Sequence, residues 1–352
     1  MQTNAAAEIL RVIEHNLQED SKFLVSGLGV ADPKGVFGTT TGLVEKFGPK
    51  RVLETPTSEN AMTGIGVGLA ISGYRPLMVH QRMDFFLLAM DQLVNSAAKW
   101  HFMFGEQSSV PLTIRLITGR GWGQGPTHSQ NLHSWFTHIP GLKVVMPSFA
   151  CDIAALLQAS IDDPNPVVFI EDRWIHSQQV DASDPRINGK IMLGKANVCY
   201  EGTDITVVAS GYMTIEALKA ISYLKENGVS AELIDLRTIK PLDMDAILKS
   251  VGKTKNLLVV DAANEITSLG KEIIANVAMT KGIKLDNTPK LVSLPDIPEP
   301  TSHGVIGEYR VSALKIALAI LEILSITEPL GIKEKLTPAH EDVPDSSFTG
   351  PF

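Results

Sequence analysis

Short apolar runs alternate with helical stretches along this chain, and the pattern is interrupted once and then restarts. The opening MQTNAAAEILRVIEHNLQED carries Glu8, Glu14, Glu19 and Asp20 among apolar positions and predicts an amphipathic helix. KFLVSGLGV follows as a strand, then a loop through GVFGTTTGLVEKFG and RVLETPTSE. NAMTGIGVGLAISGY reads as a helix whose Gly64, Gly66 and Gly68 allow close approach of another backbone. RPLMVHQ, VPLTIRLI, LKVVMPS and PVVFIED are strand candidates, with helices predicted over FLLAMDQLVNSAAKWHFMFG and CDIAALLQASIDD. Such alternation, with β-branched residues in the runs, predicts a mostly parallel α/β sheet over about residues 1–175.

Residues 176–200 are polar and turn-rich, and no period organises them, so they read as a linker. Beyond them TDITVVASG, SAELIDLRTIKPLD, NLLVVDAA and PKLVSLP are strands, Thr214–Glu226 and SLGKEIIANVAMT are helices, and VSALKIALAILEIL is a docked terminal helix. Lys315 and Glu322 break that last run too early for a bilayer span. Two α/β domains are therefore expected, 1–185 and 200–335, with a tail over 336–352.

Composition narrows the partners. The 352 residues carry a net charge of −8, with 44% hydrophobic and 20% charged residues, enough apolar chain for a sizeable core. A negative chain without a visible basic patch is a poor ligand for nucleic acid or an anionic membrane. Two cysteines, Cys151 and Cys199, could form at most one bridge, which favours a reducing, cytoplasmic setting.

Two segments combine glycine with ionisable residues beyond what a core needs. In TPTSENAMTG, Glu59 stands at a loop-to-helix junction, where either a capping box built on Thr57 or Ser58 or a chemical role would account for it. In GRGWGQGPTHSQNLHSWFTHIPG, four glycines lead into His128, with His133 and His138 downstream. Those spacings match no compact zinc-binding pair and no cysteine joins them, so proton transfer or oxyanion stabilisation suits His128 better than a metal. Walker A, GxSxG and a strand-borne GxGxxG are absent, and so is a GDG segment followed by Asn, the pattern that holds Mg²⁺ and diphosphate in thiamine diphosphate enzymes.

Taken together, GVFGTTTGLVEKFGPKRVLETPTSE, DQLVNSAAKW, VPLTIR, THSQNLHSWFTHIPGLKVVMPS, DDPNPVVFIED, EGTDITVVASG and ELIDLRTIKPLD resemble the β subunit of the E1 component of 2-oxo acid dehydrogenase complexes, of the pyruvate and branched-chain type. The resemblance implies a transketolase-like pyrimidine-binding domain followed by a transketolase C-terminal domain. It also implies a separate α-type subunit that supplies the diphosphate and Mg²⁺ site, in an α2β2 heterotetramer able to serve a lipoyl-bearing E2 core. On this resemblance Glu59 hydrogen-bonds N1′ of the aminopyrimidine of thiamine diphosphate and promotes removal of its C2 proton. Phe85, in MDFFLL, matches the aromatic residue that packs on the pyrimidine, with a plain core phenylalanine as the alternative. His128, in THSQ, matches a histidine near the reacting centre that steadies substrate and assists acyl transfer. Asp163 and Asn165, in DDPNP, match a stretch that binds a structural K⁺ in some relatives; a Pro-bounded Asx turn is the alternative.

Two departures stand out. Where the resemblance expects Gly-Glu-Asp-Val the chain has Gly27, Leu28, Gly29 and Val30, so an acid linked to proton communication between active sites is replaced by a leucine, expected here to be buried. His80 and Arg82 stand where less basic residues are usual, and Arg82 reads either as a solvated loop residue or as a contact for an acidic substrate or a partner. Oxidative decarboxylation of a 2-oxo acid with acyl transfer to lipoamide is the activity expected from the resemblance. The alternatives are a split transketolase-like enzyme that passes the unit to a non-lipoyl acceptor, and a non-catalytic partner-binding subunit.

Overall fold

The computed structural model of the chain describes residues 2–119, 121 and 123–338. Most of the expected tail, 339–352, and the loop residues Arg120 and Trp122 lie outside the described residues. The chain divides into two compact units, one of residues 2–119 and 127–193, the other of 121, 123–126 and 194–338.

In the first unit, α1 (Ala5–Glu19) begins where the Asn4 side chain accepts a hydrogen bond from Ala7 N, and it buries Ile9, Val12, Ile13 and Leu17. The other elements that position the site are β1 (Phe23–Gly27), β2 (Val52–Glu54), α2 (Glu59–Ile71), β3 (Arg75–His80), β4 (Thr113–Thr118), β5 (Lys143–Val145), α3 (Ala150–Asp162) and β6 (Val167–Asp172). Within this unit six strands lie parallel in the order β5-β6-β4-β3-β1-β2. Register runs from Phe23↔Arg75 to Gly27↔Val79 between β1 and β3. These runs are mostly apolar, with Arg115 and Glu171 as buried charged exceptions, because helices cover a parallel sheet on both faces. Two glycines set close approaches. A Cβ on Gly27 would lie 2.4 Å from Val79 O, and one on Gly66 would lie 2.5 Å from Met78 Sδ, so α2 sits tight on β3.

The first unit departs from the sequence expectations at several places. RVLETPTSE, read as loop, contains β2, and the first residues of the chain, Gln2–Asn4, form a strand antiparallel to Gln179–Asp181 inside the stretch read as linker. The segment FLLAMDQLVNSAAKWHFMFG is not one regular helix. Its winding changes from α (Met83–Phe86) through a 3₁₀ turn (Leu87–Ala89) and a π segment (Gln92–Ala97) back to α (Ala98–Met103).

The second unit contains β7 (Asn197–Tyr200), β8 (Ile205–Ala209), α4 (Tyr212–Glu226), β9 (Ala231–Asp235), α5 (Met244–Thr254), β10 (Leu257–Asn264), α6 (Leu269–Met279), β11 (Lys290–Leu294) and α7 (Ala313–Leu324). Its sheet runs β11-β10-β8-β9-β7, parallel except for the antiparallel edge strand β7, which falls in the stretch read as linker. Helix α5 was not anticipated from sequence; Asp243 caps it by accepting from Ala246 N. The terminal helix α7 docks as expected, burying Ile316, Ala317 and Ile320 after an N-cap at Ser312. A further short helix, Ile332–Leu336, runs into the region read as tail. Among the described residues no helix is long and apolar enough to cross a membrane.

Candidate active site

In an open parallel sheet, ligands bind beyond the carboxyl ends of the strands where the strand order reverses. In the first unit that point is β1, which has β2 on one side and β3 on the other. A cleft opens there, lined by Gly27 and Leu28 from the end of β1, Thr55, Pro56, Glu59 and Met62 from the turn into α2, and His80, Gln81, Arg82 and Phe85 from the end of β3 onward.

The turn after β1 is held from two sides. Glu54 accepts from Gly29 N at 2.6 Å and Ala31 N at 2.9 Å, and Gln81 Nε2 donates to Leu28 O at 2.9 Å. Leu28 is 44% exposed, which corrects the expectation that it is buried. Glu59 opens α2, where the positive end of the helix favours a carboxylate. The capping-box alternative is not realised: Ser58 is the N-cap residue yet makes no side-chain cap bond, and its backbone carbonyl accepts from Met62 N at 3.0 Å. Glu59 is half-buried, and no group among the described residues bonds its carboxyl.

Phe85 is 42% exposed and is not a core phenylalanine; its neighbour Phe86 is the fully buried one. The exposed His128 ring stands edge-on to Phe85 with centroids 5.2 Å apart, and Thr127 Oγ1 lies 3.0 Å from His128 Nδ1. Glu59 and Phe85 therefore share one cleft, and His128 joins it through Phe85.

Arg82 is not a solvated loop residue. It is 6% exposed and donates to Gly119 O at 3.2 Å; desolvation lowers its pKa while Asp84 and Asp172 pull the other way. His80 was noted from sequence only as unusual. Burial pulls its pKa down to about 4, its Nε2 has no partner among the described residues, and its ring packs edge-on against Phe86 at 4.8 Å. The signal that could have found it is a histidine ending an otherwise apolar strand.

Asp163 and Asn165 lie away from this cleft, on the turn after α3. Lys143 Nζ lies 2.6 and 2.8 Å from the Asp163 carboxylate oxygens, and Asp163 Oδ1 accepts from Asn165 N at 3.0 Å, which is the Asx turn. Asn165 Oδ1 is buried and has no partner among the described residues. No group of three or more His, Cys, Asp or Glu residues among the described residues could hold a metal ion.

A second ionisable cluster was missed from sequence altogether. Arg115 on β4 and Glu171 on β6 are fully buried; Arg115 Nε donates to Glu171 Oε1 at 2.6 Å, and both guanidinium nitrogens Nη1 and Nη2 reach Thr39 Oγ1 at 3.2 and 3.1 Å. His176 Nε2 lies 2.9 Å from the other Glu171 oxygen. Burial alone would push the Glu171 pKa up; the Arg115 charge and the His176 hydrogen bond outweigh it and hold it at about 2.

Comparison with known proteins identifies the family of each unit. Residues 3–175 match the family described as transketolase, pyrimidine binding domain, and residues 194–316 match transketolase, C-terminal domain. The chain is 40% identical over 82% of its length to the acetoin:2,6-dichlorophenolindophenol oxidoreductase subunit beta of Bacillus subtilis (strain 168), covering 84% of that protein. It is 39% identical to the mitochondrial pyruvate dehydrogenase E1 component subunit beta of Pisum sativum, covering 82% of this chain and 81% of that one. The corresponding subunit of Rickettsia bellii (strain RML369-C) is 37% identical over 90% of this chain and 95% of its own. A solved structure described as a split gene transketolase, inactive beta4 tetramer, shares the fold with a TM-score of 0.75 at 20% identity, covering 92% of this chain and 99% of that one. The chain belongs to the thiamine diphosphate-dependent, transketolase-like family of 2-oxo acid dehydrogenase E1 β subunits.

Proposed function

We propose that this chain is the β half of a 2-oxo acid dehydrogenase E1, holding the pyrimidine end of thiamine diphosphate and working only with an α-type subunit. The observation that carries this reading is the unpartnered Glu59 carboxyl, set at a helix start in the same cleft as the exposed ring of Phe85. The residues fit one end of the cofactor. A carboxyl and an aromatic face suit an aminopyrimidine, whereas Arg82, the one cation lining the cleft among the described residues, is already bonded to backbone and no diphosphate-binding segment occurs in the sequence. The α-type partner then brings the diphosphate site and Mg²⁺, most simply in an α2β2 assembly closed by two-fold symmetry.

When bound, thiamine diphosphate supplies the carbon nucleophile and electron sink that 2-oxo acid decarboxylation requires. Glu59 shares a proton with N1′, Phe85 packs against the ring and excludes water from its face, and His128 steadies the substrate carboxylate and exchanges a proton near the reacting centre. A lipoyl-bearing E2 core is the acyl acceptor in this reading, and the compartment is cytoplasmic, in keeping with two free cysteines. A structural K⁺ at Asp163 and Asn165 draws support from the buried, unpartnered Asn165 Oδ1, although Lys143 already supplies a cation to Asp163.

The test combines the chain with its α-type partner, thiamine diphosphate, Mg²⁺ and a panel of 2-oxo acids, following CO₂ release and reduction of an artificial electron acceptor. Both signals with at least one acid are expected. Condensation of a two-carbon or acyl unit with an aldehyde, without acceptor reduction, would favour the split transketolase-like alternative. The chain alone is expected to bind the cofactor weakly, and tight Mg²⁺-dependent calorimetric binding without a partner would contradict the shared site.

A further inference from the structure

His128 follows a glycine-rich stretch, and residues 127–132 lack an extended element of their own that would fix the ring. What fixes them is the short helix that carries Phe85. Leu132 N donates to Met83 Sδ at 3.2 Å, Gln130 N and Gln130 Nε2 both donate to Asp84 Oδ1 at 3.2 and 2.8 Å, and the His128 ring meets Phe85. Three consecutive residues thus take residues 132, 130 and 128 in reverse order, at two-residue steps. Asp84 supplies the strongest link, because one carboxylate oxygen receives both the backbone and the side chain of Gln130. Asp84 is 8% exposed, and it interacts electrostatically with Arg82, which holds Gly119 O at the start of the glycine-rich stretch. The departure at position 82 therefore has a structural use: Arg82 and Asp84 hold the chain just before and just after the stretch that delivers His128.

We propose that Asp84 is a positioning residue for His128, acting through Gln130. This rests on the role given to His128 above, but the seam can be tested apart from it. In the full chain, Asp84→Ala is expected to raise amide hydrogen exchange across 127–132 about tenfold, the effect of losing roughly one charge-assisted hydrogen bond, whereas Asp84→Asn, whose carbonyl still accepts both donors, stays within about threefold. If Asp84→Ala does not fold, Gln130→Ala keeps the backbone bond, loses the 2.8 Å one, and is expected to raise exchange about threefold.

In the complex with the α-type partner, Asp84→Ala is expected to lower kcat about tenfold with a smaller change in KM, Asp84→Asn to recover most of it, and Asp84→Ala to cost nothing further in a His128→Ala background. Unchanged exchange in Asp84→Ala overturns the seam. Additive losses in the double variant, or no recovery with Asn, overturn the positioning role. A His128→Ala enzyme as fast as the parent overturns instead the role of His128 in the proposed function, leaving the exchange result to stand by itself.

Discussion

Glu171 and Glu59 both stand toward the carboxyl ends of strands in the same sheet, yet the protein treats them oppositely. Glu171 is fully buried and the chain supplies its partners, Arg115 on a neighbouring strand and His176 five residues on. Glu59 is half-buried at the start of a helix and the described chain supplies none. A carboxylate saturated by its own protein has a structural role, because its charge is spent on the fold. One left open in a cleft beside an exposed aromatic ring is available to a ligand. That difference distinguishes the two sites better than pKa alone, since perturbed groups occur in structural networks as well as in catalytic ones.

The sharpest way to break the comparison is to remove each acid. Glu171→Ala leaves Arg115 buried without its counter-ion, and unfolding free energy is expected to fall by about 3–5 kcal/mol. Chemical denaturation measures this, and a variant as stable as the parent would show that Glu171 is not structural. The same group makes stability depend on acid pH. Its folded pKa of about 2 lies below the ordinary value of 4.5, so its contribution is complete above pH 4.5 and is lost as pH falls toward 2. The parent is expected to lose about 3 kcal/mol over that window that Glu171→Gln does not lose. Parallel curves for the two proteins would remove the ion pair from the account.

Glu59→Gln should show the reverse profile. Turnover of the complex is expected to fall about a hundredfold or more, the range for a positioned proton-transferring group, while stability moves by less than about 1 kcal/mol. Hydrogen–deuterium exchange at cofactor C2 should slow along with turnover. A Glu59→Gln enzyme that exchanges C2 at the parental rate would place cofactor activation elsewhere.

How far each region could be read in advance follows from the same contrast. The six parallel strands of the first unit were largely legible because double-sided burial makes Val- and Ile-rich runs. Val52–Glu54 was not, since three residues between Arg51 and Thr55 give too short a period. Asn197–Tyr200 escaped because an edge strand half-buried on its sheet carries polar residues and looks like its linker. Glu59 and His128 stand out in the sequence because each joins an ionisable side chain to glycine-bearing local sequence, but setting the capping box at Glu59 aside needed the Ser58 geometry. Arg115 and Glu171 were hidden by distance, 56 residues apart in sequence and paired only once β4 lies against β6, although a charged residue inside each apolar run was the available hint. Asp84 was invisible for the same reason, as its partner is 46 residues away.

The smallest expected effect concerns Leu28, which borders the same cleft as Glu59 and replaces an acid that the resemblance leads one to expect. A fully buried leucine contributes roughly 1.5–3 kcal/mol, but this side chain is 44% exposed and its local anchorage comes from backbone: its carbonyl accepts from Gln81, and the amides of Gly29 and Ala31 bind Glu54. None of those bonds depends on the side chain at position 28. Leu28→Glu should therefore cost the isolated chain less than about 1 kcal/mol, part of it from bringing a new negative charge toward Glu54 and Glu59, and added salt should recover that part. Denaturation at low and high ionic strength measures both. A loss near 3 kcal/mol in the isolated chain would mean that the chain itself covers Leu28. A loss that appears only in the complex with the α-type partner would mean that the partner covers it, and the open side of the cleft would then be where the two subunits meet.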